Sequence, residues 1–207
     1  MKRFLMIGLL AMMVLLMIVG CSGKESKPQT TLHTYEKGNQ TFIYDYPTSG
    51  SYSGIGASLE WIMANTPANA VFLCWWDFGH SIRNFGERDV IIFSPSRASI
   101  DRHCAPSTWN VEKSGELASE ERTQDVSAAL LALDSTQTAE IMRKYNSAYI
   151  LIHQSDITHS WGMYCALGEP SVTPTDTVLS KASNKEDIQH FKLVYTDQFA
   201  TIYELVG

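Results

Sequence analysis

The stretch AVFLCWWDFGHSIRNFG, residues Ala70 to Gly86, begins with a short apolar run and ends in a polar segment that contains glycine. The run Val71 to Leu73 predicts a buried strand. Trp75 and Trp76 follow on consecutive positions, and consecutive side chains of a strand face opposite ways. The two rings therefore cannot enter one core as parts of one strand. Either one ring has another role, or the strand has ended before them.

The flanking segments predict helices and strands in alternation. Apolar residues from Ile55 to Met63 share one helical face, and Asn65-Thr66-Pro67 stops that helix. We therefore predict an α/β fold for residues 51–207: one domain with a single mixed sheet covered by helices and an antiparallel hairpin at the C-terminal end. Its further predicted elements are a short helix from Gly79 to Phe85, strands from Val90 to Phe93 and Tyr149 to Ile152, and the hairpin of Phe191 to Tyr195 with Thr201 to Leu205.

Two helices are predicted in the second half of the chain. Val126, Ala129, Leu130 and Leu133 keep a helical period, and Asp134 is placed to cap the helix that follows. Residues 96–116 and 171–187 are polar and aperiodic, so both are expected to be long loops. The charged residues Glu87, Arg88 and Glu120-Glu121-Arg122 are interpreted as solvated charges.

The first residues have the pattern of a lipoprotein signal peptide. Lys2 and Arg3 precede an apolar stretch, and Ile18-Val-Gly-Cys21 has the small-residue spacing of cleavage just before a cysteine. We expect residues 1–20 to be removed, Cys21 to carry a lipid, and residues 21–50 to form a flexible tether. The domain is then expected on the cell surface or the periplasmic side of the membrane.

The composition excludes some functions and leaves the cysteines open. With a net charge of −6 and no basic stripe, the chain does not have the pattern of a nucleic-acid binder. Beyond Cys21 there are three cysteines, Cys74, Cys104 and Cys165, and an odd number leaves one thiol free or pairs it between chains. Cys74 is most simply a buried small hydrophobe, but the sequence does not choose the partners of a disulfide.

Trp75, Trp76 and Asp77 together have the hydrogen-bonding groups to bind an alcohol. An indole N–H only donates and an ionised carboxylate only accepts, whereas a hydroxyl does both. Two indoles and a carboxylate that converge on one point would satisfy a Ser or Thr hydroxyl and reject a side chain without one. The structural alternative is that both tryptophans are core residues and that Asp77 caps the following helix.

Trp75-Trp76-Asp77-Phe78-Gly79 resembles the WWDYG motif of oligosaccharyltransferase catalytic subunits, with phenylalanine in place of tyrosine. The segments from Leu59 to Val71 and from Thr136 to Ile152, and the closing hairpin, are also similar to archaeal members. The resemblance implies the soluble C-terminal domain of that enzyme. It also implies that the WWD residues bind the hydroxyl of the Ser or Thr two residues after the acceptor asparagine.

A second motif of that family, D-x-x-K-x-x-x-M/I, is matched by Asp156 to Met163 with His159 in place of the lysine. Histidine is shorter and mostly neutral at pH 7, so the contact of the family's cation is altered. Met163 offers an apolar surface to a threonine methyl, or fills the core. The predicted peptide site therefore consists of Trp75, Trp76, Asp77, His159 and Met163.

No catalytic residues, cofactor or metal site are predicted. His80, His103, His153 and His159 with Asp77 and Asp156 have no spacing typical of a metal centre. In the resembled family, the acidic metal ligands lie on a membrane region of many spans, so we expect no glycosyltransferase activity from this chain. The expected role is a lipid-anchored accessory module that binds Asn-x-Ser/Thr peptides or acts beside a full oligosaccharyltransferase; the alternative is a structural envelope protein with a non-functional pocket.

Overall fold

The computed structural model describes residues 54–104 and 115–207 and the backbone of two strands before them. In chain order the elements are β1 Thr30–Lys37, β2 Gln40–Pro47, α1 Ile55–Asn65, β3 Val71–Leu73, α2 Trp76–Asn84, β4 Asp89–Val90, α3 Arg97–Asp101, a 3-10 turn Gly115–Ala118, α4 Glu120–Leu131, α5 Ser135–Lys144, β5 Tyr149–His153, α6 Asp156–Leu167, α7 Val178–Ser183, β6 Phe191–Thr196 and β7 Ala200–Leu205.

Five of the strands form one mixed sheet in the order β4-β3-β5-β7-β6. Strand β3 pairs in parallel with β4 on one side and β5 on the other. Strand β7 pairs antiparallel with both β5 and β6, and β6 with β7 forms the C-terminal hairpin. The predicted α/β class, with a mixed sheet and a C-terminal antiparallel pair, is confirmed.

Helices cover both faces of this sheet because the strand side chains alternate between two cores. On β5, Ile150 and Ile152 join one core, whereas Tyr149 and Leu151 join the other. The first core is completed by α4, α5, α6 and α7, and the second by α1 and α2. Because both faces are buried, the central strands are continuous apolar runs.

The adjacent tryptophans are explained by where β3 ends. Phe72 and Cys74 enter the core beneath α1 and α2, whereas Leu73 and Trp75 enter the opposite core. If the alternation continued, Trp76 would join Phe72 and Cys74 in the second core, but it joins the same core as Trp75. The reason is that α2 begins at Trp76, three residues earlier than Gly79, where the sequence predicts the helix.

Several predicted bounds are wrong. Strand β4 is only Asp89–Val90, not Val90 to Phe93. Leu133, assigned to an apolar helix face, lies beyond the end of α4 and is 68% exposed. The polar segments 96–116 and 171–187 contain short helices, α3 and α7, because Ser96 and Thr177 side chains cap their first turns. The cap at Asp134 is confirmed, since its carboxylate accepts from the Thr136 N–H.

Arg88 is a buried structural residue, and its interpretation as a solvated charge is wrong. Its side chain is 7% exposed and lies against the C-terminal end of α1. The guanidinium donates to the main-chain oxygens of Met63 and Thr66, at 3.0 and 2.7 Å, and to the Thr66 hydroxyl at 2.9 Å. Helix ends leave carbonyl groups without partners, and Arg88 satisfies those of α1.

Strands β1 and β2 pair antiparallel within residues 21–50, the segment that the sequence predicts to be a tether. This part of the predicted tether therefore has regular backbone structure. The signal peptide and Cys21 lie outside the described residues. Among the helices that are described, none has the length and apolarity needed to span a membrane.

Candidate functional site

The two candidate motifs meet at one edge of the sheet. Trp75, Trp76 and Asp77 follow β3, and Asp156 opens α6 just after β5. Strands β3 and β5 are parallel neighbours, so their carboxyl ends lie side by side. The chain leaves β3 toward β4 on one side, and β5 lies on the other, which makes this point the topological switch of the sheet. Ligands of open α/β sheets bind at such a point.

Asp77 and His159 form the polar mouth of this candidate site. His159 Nδ1 lies 3.4 Å from Asp77 Oδ2, and the two side chains are 26% and 12% exposed. Burial raises the pKa of Asp77 above its ordinary value, while His159 and a hydrogen bond from the Trp76 side chain act in the opposite direction. Asp77 is therefore a partly accessible acceptor with an imidazole and an indole beside it.

Trp75 and Trp76 form the buried wall behind this mouth. Their ring centroids are 3.7 Å apart with a 31° interplanar angle, and the residues are 1% and 3% exposed. Met163, fully buried, belongs to the same core. Gly162 lies against both rings: a Cβ added there would be 3.4 Å from Cζ2 of Trp75 and 3.7 Å from Cζ2 of Trp76. The rings thus contact α6 rather than solvent.

Asp156 is a buried carboxyl group near Asp77 that the predicted site omits. It is fully buried, and its Oδ2 accepts the main-chain N–H of His153 at 2.9 Å. Its Oδ1 has no hydrogen-bond partner within the described part of the chain. Burial, and then the neighbouring charge of Asp77, raise the pKa of Asp156 well above its usual range. The sequence did indicate Asp156, because it is the first residue of the second motif.

Cys74 is close to the same two acids, and among the described residues it is the free cysteine. It is buried, as its place after an apolar run predicts. Burial, followed by the charges of Asp156 and Asp77, raises the pKa of the Cys74 thiol. A thiol held protonated in this way is a poor nucleophile. Cys74 therefore contributes packing at this edge.

Cys104 and Cys165 form a disulfide, which settles the pairing that the sequence left open. It joins the segment after α3 to the last turn of α6. The main-chain oxygen of Cys104 also lies 3.4 Å from a Cβ built on Gly162. The disulfide therefore fixes α6 close to the tryptophan pair.

The described residues contain no group of three or more His, Cys, Asp or Glu placed to hold a metal ion. His153 ends β5 at this edge but makes other contacts: its ring packs on Phe78 with centroids 4.4 Å apart, and its Nδ1 lies 2.8 Å from the Ser155 hydroxyl. The His80 ring lies edge-on to Phe93, with centroids 6.4 Å apart. The arrangement of the site suits hydrogen bonding to a neutral polar group.

The fold is similar to that of the C-terminal globular domain of oligosaccharyltransferase from Archaeoglobus fulgidus. The two structures align with a TM-score of 0.50 at 15% identity over 76% of this chain and 97% of that domain. Short stretches also match two curated dolichyl-phosphooligosaccharide-protein glycotransferases. They are 54% identical over 38 residues in Methanococcus voltae and 38% identical over 65 residues in Methanocaldococcus jannaschii.

These stretches cover 18% and 28% of this chain but only 4% and 7% of the two curated relatives. The family described as HaoA-associated protein HaoB matches residues 14–173, which is most of the chain. The chain belongs to this family.

Proposed function

We propose that this chain is a lipid-anchored, extracytoplasmic accessory module that binds a Ser or Thr side chain of a peptide at the Asp77–His159 mouth. The observation that carries the proposal is the 3.4 Å approach of His159 to Asp77, which joins the two motifs at the switch point of the sheet. Asp77 is the accessible acceptor for a hydroxyl proton, and the Trp76 indole and His159 are the neighbouring polar groups. Trp75 and Met163 form the apolar wall behind them.

The names of the relatives support recognition of a protein substrate. The curated relatives are named as protein glycotransferases, and the solved neighbour is the C-terminal globular domain of one such enzyme. The family description names association with another protein, HaoA. An accessory role beside a partner protein, whether HaoA or a glycosyltransferase, agrees with both descriptions.

Export and lipid attachment are part of the proposal. The lipoprotein pattern ending in Cys21 supports them, and so does the Cys104–Cys165 disulfide, since such bonds persist mainly outside the cytoplasm. Mass spectrometry of the mature N-terminus should find a diacylglycerol-modified Cys21. An uncleaved N-terminus would contradict lipid anchoring. So would a Cys21→Ser variant of which the same share is recovered with the membranes.

The test of peptide binding is a titration of the full chain in detergent with an Asn-Ala-Thr peptide and the matched Asn-Ala-Ala peptide. Because such a pocket offers one hydroxyl and few other contacts, millimolar peptide is needed. We expect the threonine peptide to bind about 10-fold more tightly, the value of a hydrogen bond to a charged acceptor. Equal binding by both peptides would overturn the proposal.

A structural role for the tryptophan pair is the second candidate, favoured by the burial of Trp75 and Trp76 in one core. In that case the chain is an envelope interaction protein whose pocket binds no peptide. Trp76→Phe separates the two, because it keeps an aromatic ring and removes the indole N–H. Lower peptide affinity with a small stability loss supports binding, whereas a stability loss with unchanged affinity supports the structural role.

A further inference from the structure

The two ends of the Cys104–Cys165 disulfide differ in their exposure. Cys104 is 1% exposed, whereas Cys165, in the last turn of α6, is partly exposed. The Sγ atom of Cys165 lies 3.9 Å from the main-chain oxygen of Arg102, at the surface of the domain. A thiolate breaks a disulfide by attacking a sulfur that it can reach. Attack on this bond is therefore directed to Cys165, and Cys104 is the leaving group.

The turn that carries Cys104 has a backbone conformation that is unfavourable for its sequence. At the end of α3, the N–H of Cys104 donates to the Ser99 oxygen at 2.8 Å and the N–H of His103 to the Ile100 oxygen at 2.9 Å, the two bonds of a Schellman motif. His103 has a φ of 60° there, at the position where glycine is usual. Because a side chain disfavours the left-handed region, the closed turn is strained. The disulfide holds it closed.

The hydrogen bond that joins this turn to α6 is long and its donor is shared. Nη2 of Arg102 donates to the main-chain oxygen of Ala166 at 3.3 Å, and the same atom donates to the Glu120 carboxylate, on α4, at 2.5 Å. A bond of 3.3 Å lies beyond the usual range for N–H···O. Once the disulfide is broken, Arg102 can keep Glu120 as its partner while the turn moves away from α6.

This turn packs against the helix that supports the candidate site. A Cβ built on Gly162 would be 3.4 Å from the main-chain oxygen of Cys104 and 3.4 Å from Cζ2 of Trp75. The turn and the tryptophan ring therefore contact α6 at the same glycine. His159 lies one turn before Gly162 on that helix. A change at Cys104 thus acts on the packing directly behind the Asp77–His159 mouth.

We propose that the Cys104–Cys165 disulfide is a redox site: a dithiol reductant opens it at Cys165, and its reduction loosens the turn 102–104 and the wall behind the Asp77–His159 mouth. The opening of the turn does not depend on what the mouth binds. Only its effect on peptide binding rests on the proposed function.

The exchange consists of two displacements. A thiolate of the reductant attacks Sγ of Cys165, the bond to Cys104 breaks, and Cys104 leaves with the electron pair and takes up a proton. The second thiolate of the reductant then attacks the reductant's own sulfur in the mixed disulfide and releases Cys165, which is protonated in turn. The protein gains two electrons and two protons, and the dithiol becomes a disulfide.

The first experiment treats the full chain in detergent with dithiothreitol and then with iodoacetamide. We expect Cys104 and Cys165 to be labelled, whereas Cys74, buried beneath α1 and α2, stays unlabelled and shows that the domain remains folded. Amide hydrogen exchange at residues 102–104 should accelerate about 10-fold or more, while that of β5 stays unchanged. Labelling of Cys74 at the same rate, unchanged exchange at 102–104, or a disulfide that is reduced only in urea would overturn the inference.

A glycine at residue 103 tests the strain in the turn. His103→Gly removes the cost of the left-handed backbone from the closed form, so half-reduction should need about a 5-fold higher ratio of reduced to oxidised dithiothreitol. His190→Gly is the matched control, because His190 has a φ of 69° but lies before β6. It should leave the ratio unchanged. An equal ratio in the parent and in His103→Gly would show that reduction does not open the turn.

The effect on the candidate site is measured with the Asn-Ala-Thr peptide. The reduced protein should bind it about 5-fold more weakly than the oxidised protein, because a loosened wall must be ordered on binding. The double variant Cys104→Ser with Cys165→Ser should match the reduced protein. Equal affinities of the two forms, with the threonine preference intact, would overturn the control of the site. If neither form prefers threonine over alanine, the proposed function fails, and the labelling and exchange results decide the redox site by themselves.

Discussion

His159 on α6 and Asp77 on α2 meet with Nδ1 of the imidazole 3.4 Å from Oδ2 of the carboxylate. The two helices start after neighbouring parallel strands, so the contact is a direct consequence of the pairing of β3 with β5. It joins the most accessible acid of the site to the residue that replaces the lysine of the resembled motif.

Asp77→Asn is expected to lower the affinity for the threonine peptide at least 10-fold at neutral pH, because a neutral amide is a weaker acceptor than a carboxylate. The titration with Asn-Ala-Thr measures this effect. Asp101→Asn, an exposed change on α3, is the matched control and should leave the affinity unchanged. A variant that binds as well as the parent would exclude Asp77 as the acceptor.

His159→Lys should extend peptide binding to lower pH. Burial raises the pKa of Asp77 and the His159 side chain acts in the opposite direction, and a permanently charged ammonium in the same place favours the ionised carboxylate at every pH of the titration. In the parent, affinity should fall as the pH drops through the raised pKa of Asp77. In the variant this midpoint should move down. An unchanged midpoint would show that the side chain at residue 159 does not affect the pKa of Asp77.

The free energy of unfolding of Asp156→Asn should rise progressively relative to that of the parent as the pH increases above about 4. The pKa of Asp156 is raised in the fold, so between the unfolded and folded values the native state binds more protons. The parent's free energy of unfolding therefore falls as the pH rises through that window, whereas the variant has no such loss. Urea unfolding from pH 3.5 to 8 measures the difference; a difference that does not change with pH contradicts this prediction.

Gly79→Ala should destabilise the domain far more than Gly162→Ala. A Cβ at residue 79 would lie 2.3 Å from the main-chain oxygen of Ile92, whereas at residue 162 the nearest atoms are at 3.4 Å. Overpacking against backbone costs about 1–3 kcal/mol or more, while an ordinary contact in a helix costs little. Thermal unfolding of the two variants decides, and equal melting temperatures would count against the close packing of α2.

Arg88→Met should lower the free energy of unfolding by about 2–4 kcal/mol, because Met63 and Thr66 lose their charged donor in a buried site. Arg83→Met is the control. Its ion pair with Asp89, at 3.9 Å, is between side chains that are 46% and 66% exposed, so the loss should stay below about 1 kcal/mol. Urea denaturation compares them, and a similar small effect of both changes would refute the buried role of Arg88.

Local features of the fold were predictable because they depend on neighbours in the chain. The apolar run Val71 to Leu73 forms β3, Asp134 caps α5, and the last two apolar segments pair as a hairpin. Bounds were less accurate: nothing in the residues from Trp76 to Gly79 indicates by itself that the helix starts at the first of them. That start depends on Trp76 packing into the same core as Trp75.

For the site, the sequence identified the two motifs as segments but not their contacts. It predicted Asp77 and His159 as site residues but not that they lie close together. It also did not decide whether the tryptophans bind a ligand or fill the core. It also treated Arg88 as solvated, because a charged residue in a turn is usually exposed.

The sequence by itself therefore determined the α/β class, the strand and helix nuclei and the residue types available for binding, since these follow from local periodicity and capping. Only the tertiary structure decided that Cys104 pairs with Cys165, that both indoles are buried, and that Asp77 meets His159. The physical reason is that each of these depends on strand order and helix packing, which bring together segments that are distant in the chain and carry no local signal of one another.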